Sequence, residues 1–333
     1  MPTNNIRMIE LDPLIVPNNP FKAITSTYLT RLNRLASEKS GIPGVIKKLV
    51  KKWIEYRASR LLEHGEDKQI QVAIRDHATF NANECNGQIC VTYLDHYRTL
   101  YEPEIEAILE AHVRAMEAFI DCGANWGYFT GKAVLSNPSI KCWAIEPSPM
   151  PFQDLRRMVE VLGPEKDINL IQAGVSSTAG TFSVAQSAFD SGTNHVVPLD
   201  PSEMSNTHVE CFPIDNLQVP ARSLVKIDVE GHELEVLKGM SGLLKGKECI
   251  IIFEHWHNTP DALQPFLEYF SPFGFRVSQI ITDTAAAVVA DHTLVCAKLC
   301  KPELEIGGRY NLVATHESLT LFKDSNGENN ENG

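Results

Sequence analysis

Short apolar runs alternate with amphipathic segments from residue 118 onward. The runs predict β-strands at 118–121, 141–146, 168–173, 223–228 and 249–254. The segments between them have helical periodicity, and they predict helices at 127–135, 149–162, 232–240 and 261–270. This alternation is typical of a parallel α/β sheet with helices on both faces. Three more runs follow without an obvious helix between the last two, which predicts an antiparallel edge from 273–280, 292–298 and 308–317.

The residues ahead of this domain have a different pattern. Residues 1–20 are polar and contain prolines, which predicts irregular structure, and residues 21–64 have helical periodicity interrupted at "SGIPG". The segments 68–76 and 87–94 alternate like the two strands of a small β hairpin, and 101–116 is predicted to be a helix. We therefore divide the chain into an N-terminal helical accessory segment, an α/β domain and a tail that is expected to be disordered, at 1–66, 67–322 and 323–333.

Composition narrows the possible partners and compartment. The 333 residues carry a formal net charge of −12, so no general attraction to nucleic acid phosphates is expected. The N-terminus has no signal-peptide pattern, and the longest aliphatic and aromatic run, 250–253, is too short to span a bilayer. A cytoplasmic protein without a membrane span is expected; its oligomeric state is left open. The basic stretch "KKLVKKWIEYR" at 47–57 is interpreted as a solvated helix face, with a membrane or partner surface as the alternative.

The stretch "AFIDCGANWGYFT" at 118–130 predicts a strand, a glycine loop and a helix in succession. Such a loop is typical of a nucleotide site at the carboxyl end of a strand. Its glycines do not have the G-x-G-x-x-G spacing of a dinucleotide site, and "GYFTGKA" at 127–133 does not have the spacing of a P-loop. The loop therefore indicates a nucleotide-type ligand of a different kind.

Glu146 ends the next predicted strand, 25 residues after Asp121. A carboxylate about 20 residues after a glycine loop can accept hydrogen bonds from ribose hydroxyls. A nucleoside without a pyrophosphate would suit this pair of features, and S-adenosylmethionine meets that description.

Further segments make a family resemblance specific. "FIDCGANWGYFT", "AIEPSP", "LIQAGVSSTAGT", "ECFPIDNL", "VKIDVEGHELEVLKGM" and "IIIFEHW" follow in this order between 119 and 256. Together they resemble the FkbM family of S-adenosylmethionine-dependent methyltransferases, over roughly 101–315. The resemblance implies a Rossmann-like sheet of seven strands whose last strand is antiparallel. It also implies O-methylation of a hydroxyl on a carbohydrate or secondary metabolite. Residues 1–66 are not covered, and the segment 281–307 is longer than expected for the family.

The resemblance assigns roles to particular residues. The cofactor site is expected to contain Asp121, which would face the methionyl amine, and Gly123, Ala124, Asn125, Gly127, Glu146 and Asp228. A hydroxyl acceptor must also lose its proton to a nearby base. The candidates for this catalytic role lie at the ends of the fourth and fifth strands and are Asp228, Glu230, Glu254 and His255, with Asp228 preferred among the carboxylates.

Other polar residues near these strand ends receive weaker assignments. Glu233 is expected to serve the start of a helix. Asn194, His195 and His232 are expected to contact the substrate, although 189–196 is also explained as a plain surface loop. No metal site is predicted, because the histidines of "FEHWH" do not establish convergent ligands.

The predicted function is therefore that of an S-adenosylmethionine-dependent methyltransferase that acts on a small molecule or a glycan. Two alternatives remain open. The first is a non-catalytic protein that binds S-adenosylmethionine or acts as a scaffold. The second is an NAD-dependent oxidoreductase, which the missing G-x-G-x-x-G spacing disfavours.

Overall fold

A computed structural model of the chain gives the arrangement of most of the predicted α/β domain and of parts of the N-terminal segment. It describes residues 9–10, 14–17, 21–23, 43–46, 49–50, 52–53, 69–74, 77, 79–83, 86, 88–89, 101–185, 195–198, 207–283, 288–289 and 292–319. The predicted tail at 323–333 lies outside these residues.

The centre of the fold is a parallel sheet. Its strands are β6 (Ala118–Cys122), β7 (Lys141–Ile145), β8 (Ile168–Ile171), β13 (Ser223–Ile227) and β14 (Ile250–His257). They lie in the order β8-β7-β6-β13-β14, and every neighbouring pair is parallel. The chain order therefore reverses at β6, and ligands of open α/β sheets bind at the carboxyl ends of the strands beside such a reversal.

Antiparallel strands continue the sheet beyond β14. The strand β18 (Gly308–His316) pairs antiparallel with β14 and also with β15 (Phe275–Asp283). Beyond β15 lies β17 (His292–Cys300), again antiparallel, with β16 (Val288–Val289) beside it. The predicted antiparallel last strand is thus confirmed. Among the described residues the sheet has eleven strands, because β16 and β17 precede β18 at its edge and two strands of the N-terminal segment pair with β17.

Helices cover both faces of the sheet, as predicted. On one face lie α1 (Pro103–His112), α2 (Tyr128–Ser136) and α3 (Pro149–Leu162), which pack on Phe119, Leu224 and Ile252. On the other lie α4 (Glu233–Lys238), α5 (Ser241–Gly246) and α6 (Gln264–Phe270), which pack on Ile120, Val225 and Phe253. Successive strand residues therefore face opposite layers, and all five residues of β13 are buried.

A small sheet is attached to the helix layer that contains α3. It consists of β3 (Phe21–Ala23), β4 (Gln69–Ile74) and β5 (Thr79–Asn83), all antiparallel. The predicted hairpin is present, but its second strand is β5 and the prediction of 87–94 is wrong at 88–89, which are helical. Buried Asp154 of α3 anchors this sheet by accepting hydrogen bonds from the Asn83 backbone amide (2.8 Å) and the Asn86 side chain (3.0 Å).

The N-terminal segment contributes strands where none were predicted. Besides β3, it contains β1 (Ile9–Glu10) and β2 (Leu14–Pro17), and both pair antiparallel with β17. Irregular structure at these positions was therefore a wrong prediction, because the edge of β17 supplies backbone partners that the local sequence does not reveal. Residues 44–46, 49–50 and 52–53 are helical, as expected. The domain boundary at residue 66 stays a prediction.

A second small sheet is formed by the part of the chain that follows β8 and precedes β13. It is formed by β9 (Gly174–Val175), β10 (Gly180–Ala185), β11 (His195–Pro198) and β12 (Thr207–Phe212) in the order β11-β10-β12-β9. The loop predicted at 189–196 thus includes the first residues of a strand. The described helices include none with the length and apolar character needed to cross a membrane.

Candidate functional site

The glycine loop between β6 and α2 follows a backbone path that side chains rarely allow. Gly123, Asn125 and Gly127 all have positive φ angles, of 79°, 50° and 91°. A Cβ on Gly123 would lie 1.9 Å from the carbonyl oxygen of Asp228, so only glycine fits between β6 and the end of β13. The amides of Gly123 and Ala124 both donate to the carbonyl of Ile145 at 3.0 Å. The loop is therefore held against the ends of two neighbouring strands.

Glu146 is fixed where β7 ends. One carboxylate oxygen accepts a hydrogen bond from the amide of Asn125 (2.9 Å), and the other accepts one from the amide of Ser148 (2.8 Å). Burial raises the pKa of Glu146 to about 7, although these amides act in the opposite direction. The Ser148 side chain is also hydrogen-bonded to this carboxylate. The carboxylate thus lies against the glycine loop, and an acceptor position remains for a ligand hydroxyl.

Asp121 is buried beside the same loop. Its Oδ2 accepts a hydrogen bond from the Thr130 hydroxyl of α2 at 2.7 Å. Its Oδ1 is also buried, and it has no hydrogen-bond partner among the described residues. Burial raises the pKa of Asp121, while the Lys226 ammonium lowers it. A buried acceptor without a donor is costly, so this oxygen fits a site that receives a donor from a ligand.

Three predicted catalytic carboxylates meet on the other side of the strand reversal. Oxygens of Asp228, Glu230 and Glu254 lie within 4.8 Å of one another. Burial, followed by the charge of Asp228, raises the pKa of Glu230 to about 8 and also raises the pKa of Glu254. Like charges at this distance disfavour ionisation of all three carboxyl groups, so this cluster favours the binding of protons or cations.

Arg309 of β18 inserts a cation into this cluster. Its guanidinium donates to both oxygens of Glu254, from Nη2 at 2.7 Å and from Nε, and also to Glu230 at 2.8 Å. It also lies over the Trp256 ring, with 4.9 Å between the guanidinium carbon and the ring centre. Arg309 was not predicted from the sequence. Its position follows from the pairing of Trp256 with Arg309 across two strands that are distant in the chain.

Lys226 is a second cation of the site that was not predicted from the sequence. It is buried on β13, directly beside Asp121 of β6, and its Nζ donates to Asp228 at 2.9 Å. The same Nζ lies 5.1 Å from the centre of the Phe129 ring. Burial alone would lower the pKa of Lys226, but Asp228, Asp121 and Glu102 outweigh it and raise the pKa. The lysine therefore stays charged and connects the glycine loop to the carboxylate cluster.

His255 does not join the carboxylates. It is buried on β14 with its ring edge-on to Phe266 of α6 (5.3 Å), and its Nε2 lies 3.3 Å from Nδ1 of His257. Burial, followed by the charge of His257, lowers the pKa of His255 to about 4. Because strand neighbours point to opposite faces, His255 lies on the α6 side while Glu254 joins Asp228.

The predicted substrate residues fall in different places. His232 lies directly before α4, and its Nε2 lies 2.9 Å from the hydroxyl of buried Ser176. His195 belongs to β11, and Asn194 lies outside the described residues. Glu233 accepts hydrogen bonds from the amides of Gly231 (2.9 Å) and Val229 (3.3 Å), which confirms its expected role at the helix start.

The carboxylate cluster has the ligand types of a divalent-cation site. However, the Arg309 guanidinium already donates to two of its three carboxylates, Glu230 and Glu254. Positive charge is therefore supplied where a cation would bind. The expectation of no metal stays a prediction.

Comparisons with known proteins agree with this geometry. Residues 121–277 match a family model described as the methyltransferase FkbM domain. The hexuronic acid methyltransferase AglP of Haloferax volcanii is 30% identical over 154 residues, which cover 46% of this chain and 62% of that protein. The match therefore spans less than two thirds of that relative's length. The methyltransferase sdnD of Sordaria araneosa is 24% identical over 206 residues, covering 52% of this chain and 74% of that protein.

One solved structure among those similar is the methyltransferase FkbM from Methylobacillus flagellatus KT. It has a TM-score of 0.37 and 20% identity, covering 56% of this chain and 44% of that chain.

The sheet order, the glycine loop and the family match define a methyltransferase domain. Residues 121–277 match the FkbM methyltransferase domain, and the resemblance inferred from the motifs is confirmed over these residues.

Proposed function

We propose that this protein is an S-adenosylmethionine-dependent methyltransferase that methylates a hydroxyl group of a carbohydrate or secondary metabolite. The observation that carries the proposal is the pair of buried carboxylates at the glycine loop. Glu146 is fixed against the Asn125 amide, and Asp121 has an oxygen without a partner among the described residues. The relatives named for hexuronic acid methylation and as sdnD support this general class of reaction.

The chain's groups fit S-adenosylmethionine, which when bound supplies an activated methyl group on a sulfonium. Glu146 would accept hydrogen bonds from the ribose hydroxyls, and Asp121 would accept one from the methionyl amine. Gly123, Ala124, Asn125 and Gly127 would let the backbone lie close to the ligand. Glu146, Asp121 and Asn125 are all buried, so the loop would also help to exclude water.

Asp228 is the favoured proton acceptor for the substrate hydroxyl. It follows β13 at the carboxyl edge of the sheet, and its carboxylate is only partly buried. Lys226 donates to one of its oxygens, which holds the carboxylate in place and leaves the other oxygen for a substrate. Glu230 and Glu254 are engaged by Arg309, so we propose that they orient the acceptor and tune the charge around Asp228.

His255 is the competing base, and its position makes it the weaker candidate. Its contacts with Phe266 and His257 lie away from Asp228, and its lowered pKa makes it a poor proton acceptor. His232, beside Ser176 and edge-on to Phe182, remains a proposed substrate contact, together with Asn194 and His195.

The first experiment measures ligand binding by thermal unfolding. S-adenosylhomocysteine should raise the melting temperature of the wild-type protein, because a ligand that binds only the folded state stabilises it. Glu146→Ala should weaken binding by about 10- to 100-fold, the usual effect of losing hydrogen bonds to a charged group. Glu160→Ala is the matched control, because Glu160 is exposed on α3.

The outcome separates the alternatives. Stabilisation by NADH instead of S-adenosylhomocysteine would indicate an oxidoreductase and contradict the proposal. If S-adenosylhomocysteine binds but no methyl group is transferred from labelled S-adenosylmethionine to a pool of glycans and metabolites, the non-catalytic alternative is favoured. Equal binding by Glu146→Ala and the wild-type protein would contradict the ribose assignment.

A further inference from the structure

Glu102, the residue directly before α1, combines an unusual backbone conformation with a buried carboxylate oxygen. Its backbone is in the left-handed region, with φ 46° and ψ 70°, although it is not a glycine. Its Oε1 accepts a hydrogen bond from the Tyr101 hydroxyl at 2.8 Å. Its Oε2 is buried and has no hydrogen-bond partner among the described residues. A strained backbone that carries a buried, unpartnered carboxylate oxygen is typical of a binding position.

The neighbouring residues hold Glu102 in place. The amide of Tyr101 donates to buried Glu106 at 2.7 Å, and Glu106 also accepts hydrogen bonds from Tyr128 (2.6 Å) and Lys132 (2.7 Å) of α2. The Tyr101 ring packs edge-on against Tyr128, with 5.3 Å between the ring centres. The start of α1 is therefore fixed to α2, the helix that begins at the glycine loop.

Glu102 and Asp121 approach the same region from two elements. The Phe129 ring lies 5.8 Å from the Tyr101 ring, and the Lys226 Nζ lies 5.1 Å from the centre of the same Phe129 ring. Asp121 lies directly beside Lys226 across the paired strands. The ammonium of Lys226 donates to Asp228, and the carboxyl groups of Asp121 and Glu102, each with an unpartnered oxygen among the described residues, both interact electrostatically with this ammonium.

These oxygens need a ligand that can donate hydrogen bonds. Three carboxyl groups, Asp228, Asp121 and Glu102, act on a single buried ammonium, so the region is rich in oxygens that can accept hydrogen bonds once they are ionised. A sulfonium is a cation without an N–H or O–H group, and therefore it would leave the acceptors unsatisfied. A primary ammonium has three N–H donors and a positive charge, and it would satisfy these oxygens.

We infer that Glu102, together with Asp121, binds the α-ammonium group of the methionyl part of S-adenosylmethionine. This inference rests on the proposed function and adds a cofactor residue that lies outside the glycine loop and ahead of β6. The start of α1 thereby becomes one wall of the cofactor site.

The charge state of Glu102 provides a second readout. Burial, followed by the charge of Asp228, raises the pKa of Glu102 to about 8, while Lys226 and the Tyr101 hydroxyl lower it and Glu254 raises it. A bound ammonium would favour the charged form and lower this pKa. Binding near pH 7.5 should therefore release a proton from Glu102.

Isothermal titration calorimetry on the full chain tests the inference with three ligands. S-adenosylmethionine and S-adenosylhomocysteine both carry the ammonium group, whereas 5′-methylthioadenosine lacks it. Glu102→Gln should weaken binding of the first two by about 10- to 100-fold and leave the third within about twofold. Glu104→Gln, in the same turn of α1, is the matched control and should bind all three like the wild-type protein.

Titrations in buffers of different ionisation enthalpy measure the proton. The wild-type protein should release more protons than Glu102→Gln on binding S-adenosylhomocysteine. Glu102→Asp retains a carboxylate and should recover part of the affinity. Such a recovery would show that the loss in Glu102→Gln comes from the missing charge and not from misfolding. Melting curves without ligand check that each variant is folded.

Several results would overturn the inference. They are unchanged affinity in Glu102→Gln, an equal loss for 5′-methylthioadenosine, or a loss confined to S-adenosylmethionine, which would indicate a sulfonium contact. Failure of the wild-type protein to bind any of the three ligands would instead refute the proposed function.

Discussion

The two sides of the strand reversal at β6 are built in different ways. On the side of β6 and β7, the carboxylates of Asp121 and Glu146 are buried and are bonded to groups close to them in the chain, namely Thr130, Asn125 and Ser148. On the side of β13 and β14, the cluster of Asp228, Glu230 and Glu254 depends on Arg309, which is far away in the chain.

This difference indicates which kind of ligand each side of the site is suited to bind. Backbone amides have fixed positions once the fold forms, so the first side suits a ligand whose shape does not vary. Side-chain ion pairs can rearrange, and Arg309 is partly exposed, so the second side suits contacts that depend on the acceptor. We expect the first side to tolerate substitution least.

The largest effect is expected from Gly123→Ala. The new Cβ would overlap the backbone carbonyl of Asp228 at a positive φ, and neither strand can move away without breaking its pairing. The free energy of unfolding should fall by at least about 3 kcal/mol, as measured by urea denaturation, and binding of S-adenosylhomocysteine should be lost.

Gly231→Ala provides the matched comparison on the second side. Gly231 also has a positive φ, of 100°, but a Cβ there would meet no atom within 4 Å. Only backbone strain should remain, with a loss of about 1–2 kcal/mol and retained cofactor binding. Equal losses in the two variants would show that the close approach at Gly123 is unimportant.

Asp228→Asn should separate binding from chemistry. The substitution keeps the shape but removes the proton acceptor, so the methyl transfer rate should fall by about 10²–10⁴-fold. S-adenosylhomocysteine should still bind in calorimetry, because the glycine loop is unchanged. His255→Ala is assayed in parallel. Near-normal turnover in Asp228→Asn with a large loss in His255→Ala would transfer the role of base to His255.

The last prediction concerns the pH dependence of stability. Glu146 has a raised pKa of about 7 in the folded protein, from an ordinary value of 4.5, so the folded state holds its proton more tightly than the unfolded state. The stabilisation of the folded state that comes from this bound proton is complete below about pH 4.5. It decreases as the pH rises toward 7 and is absent above that pH. Between pH 5 and 8 the wild-type protein should lose about 1–3 kcal/mol more than Glu146→Gln in urea unfolding. Parallel slopes would contradict the burial of an ionisable group at this position.

The same contrast explains what could be predicted from the sequence. Asp121, the glycines and Glu146 follow one another within one strand–loop–helix–strand unit, so their spacing predicts their proximity. The helix at 149–162 was predicted with its observed bounds, because its periodicity and flanking residues are local. Lys226 lies within the motif at 225–240, but its position beside Asp121 follows only from the pairing of β13 with β6. Arg309 and Glu102 reach the site only through sheet pairing and helix packing, and no local pattern marks them.

The missed strands have a similar cause. The strands β1 and β2 form on the edge of β17, and β9 to β12 form a sheet from short segments whose partners lie in other parts of the chain. Their stability depends on partners that a local pattern does not specify.

Arg309 supplies a counter-ion that is part of the polypeptide. It serves the side of β13 and β14, where the methyl acceptor is proposed to bind. A dissolved cation would occupy such a place according to its concentration and could be removed by dilution or competition. The guanidinium is instead held at a constant, high effective concentration by the pairing of β14 with β18. Because arginine keeps its charge throughout the physiological pH range, the electrostatic balance of this half of the site is set by the fold and not by the ionic composition of the surroundings.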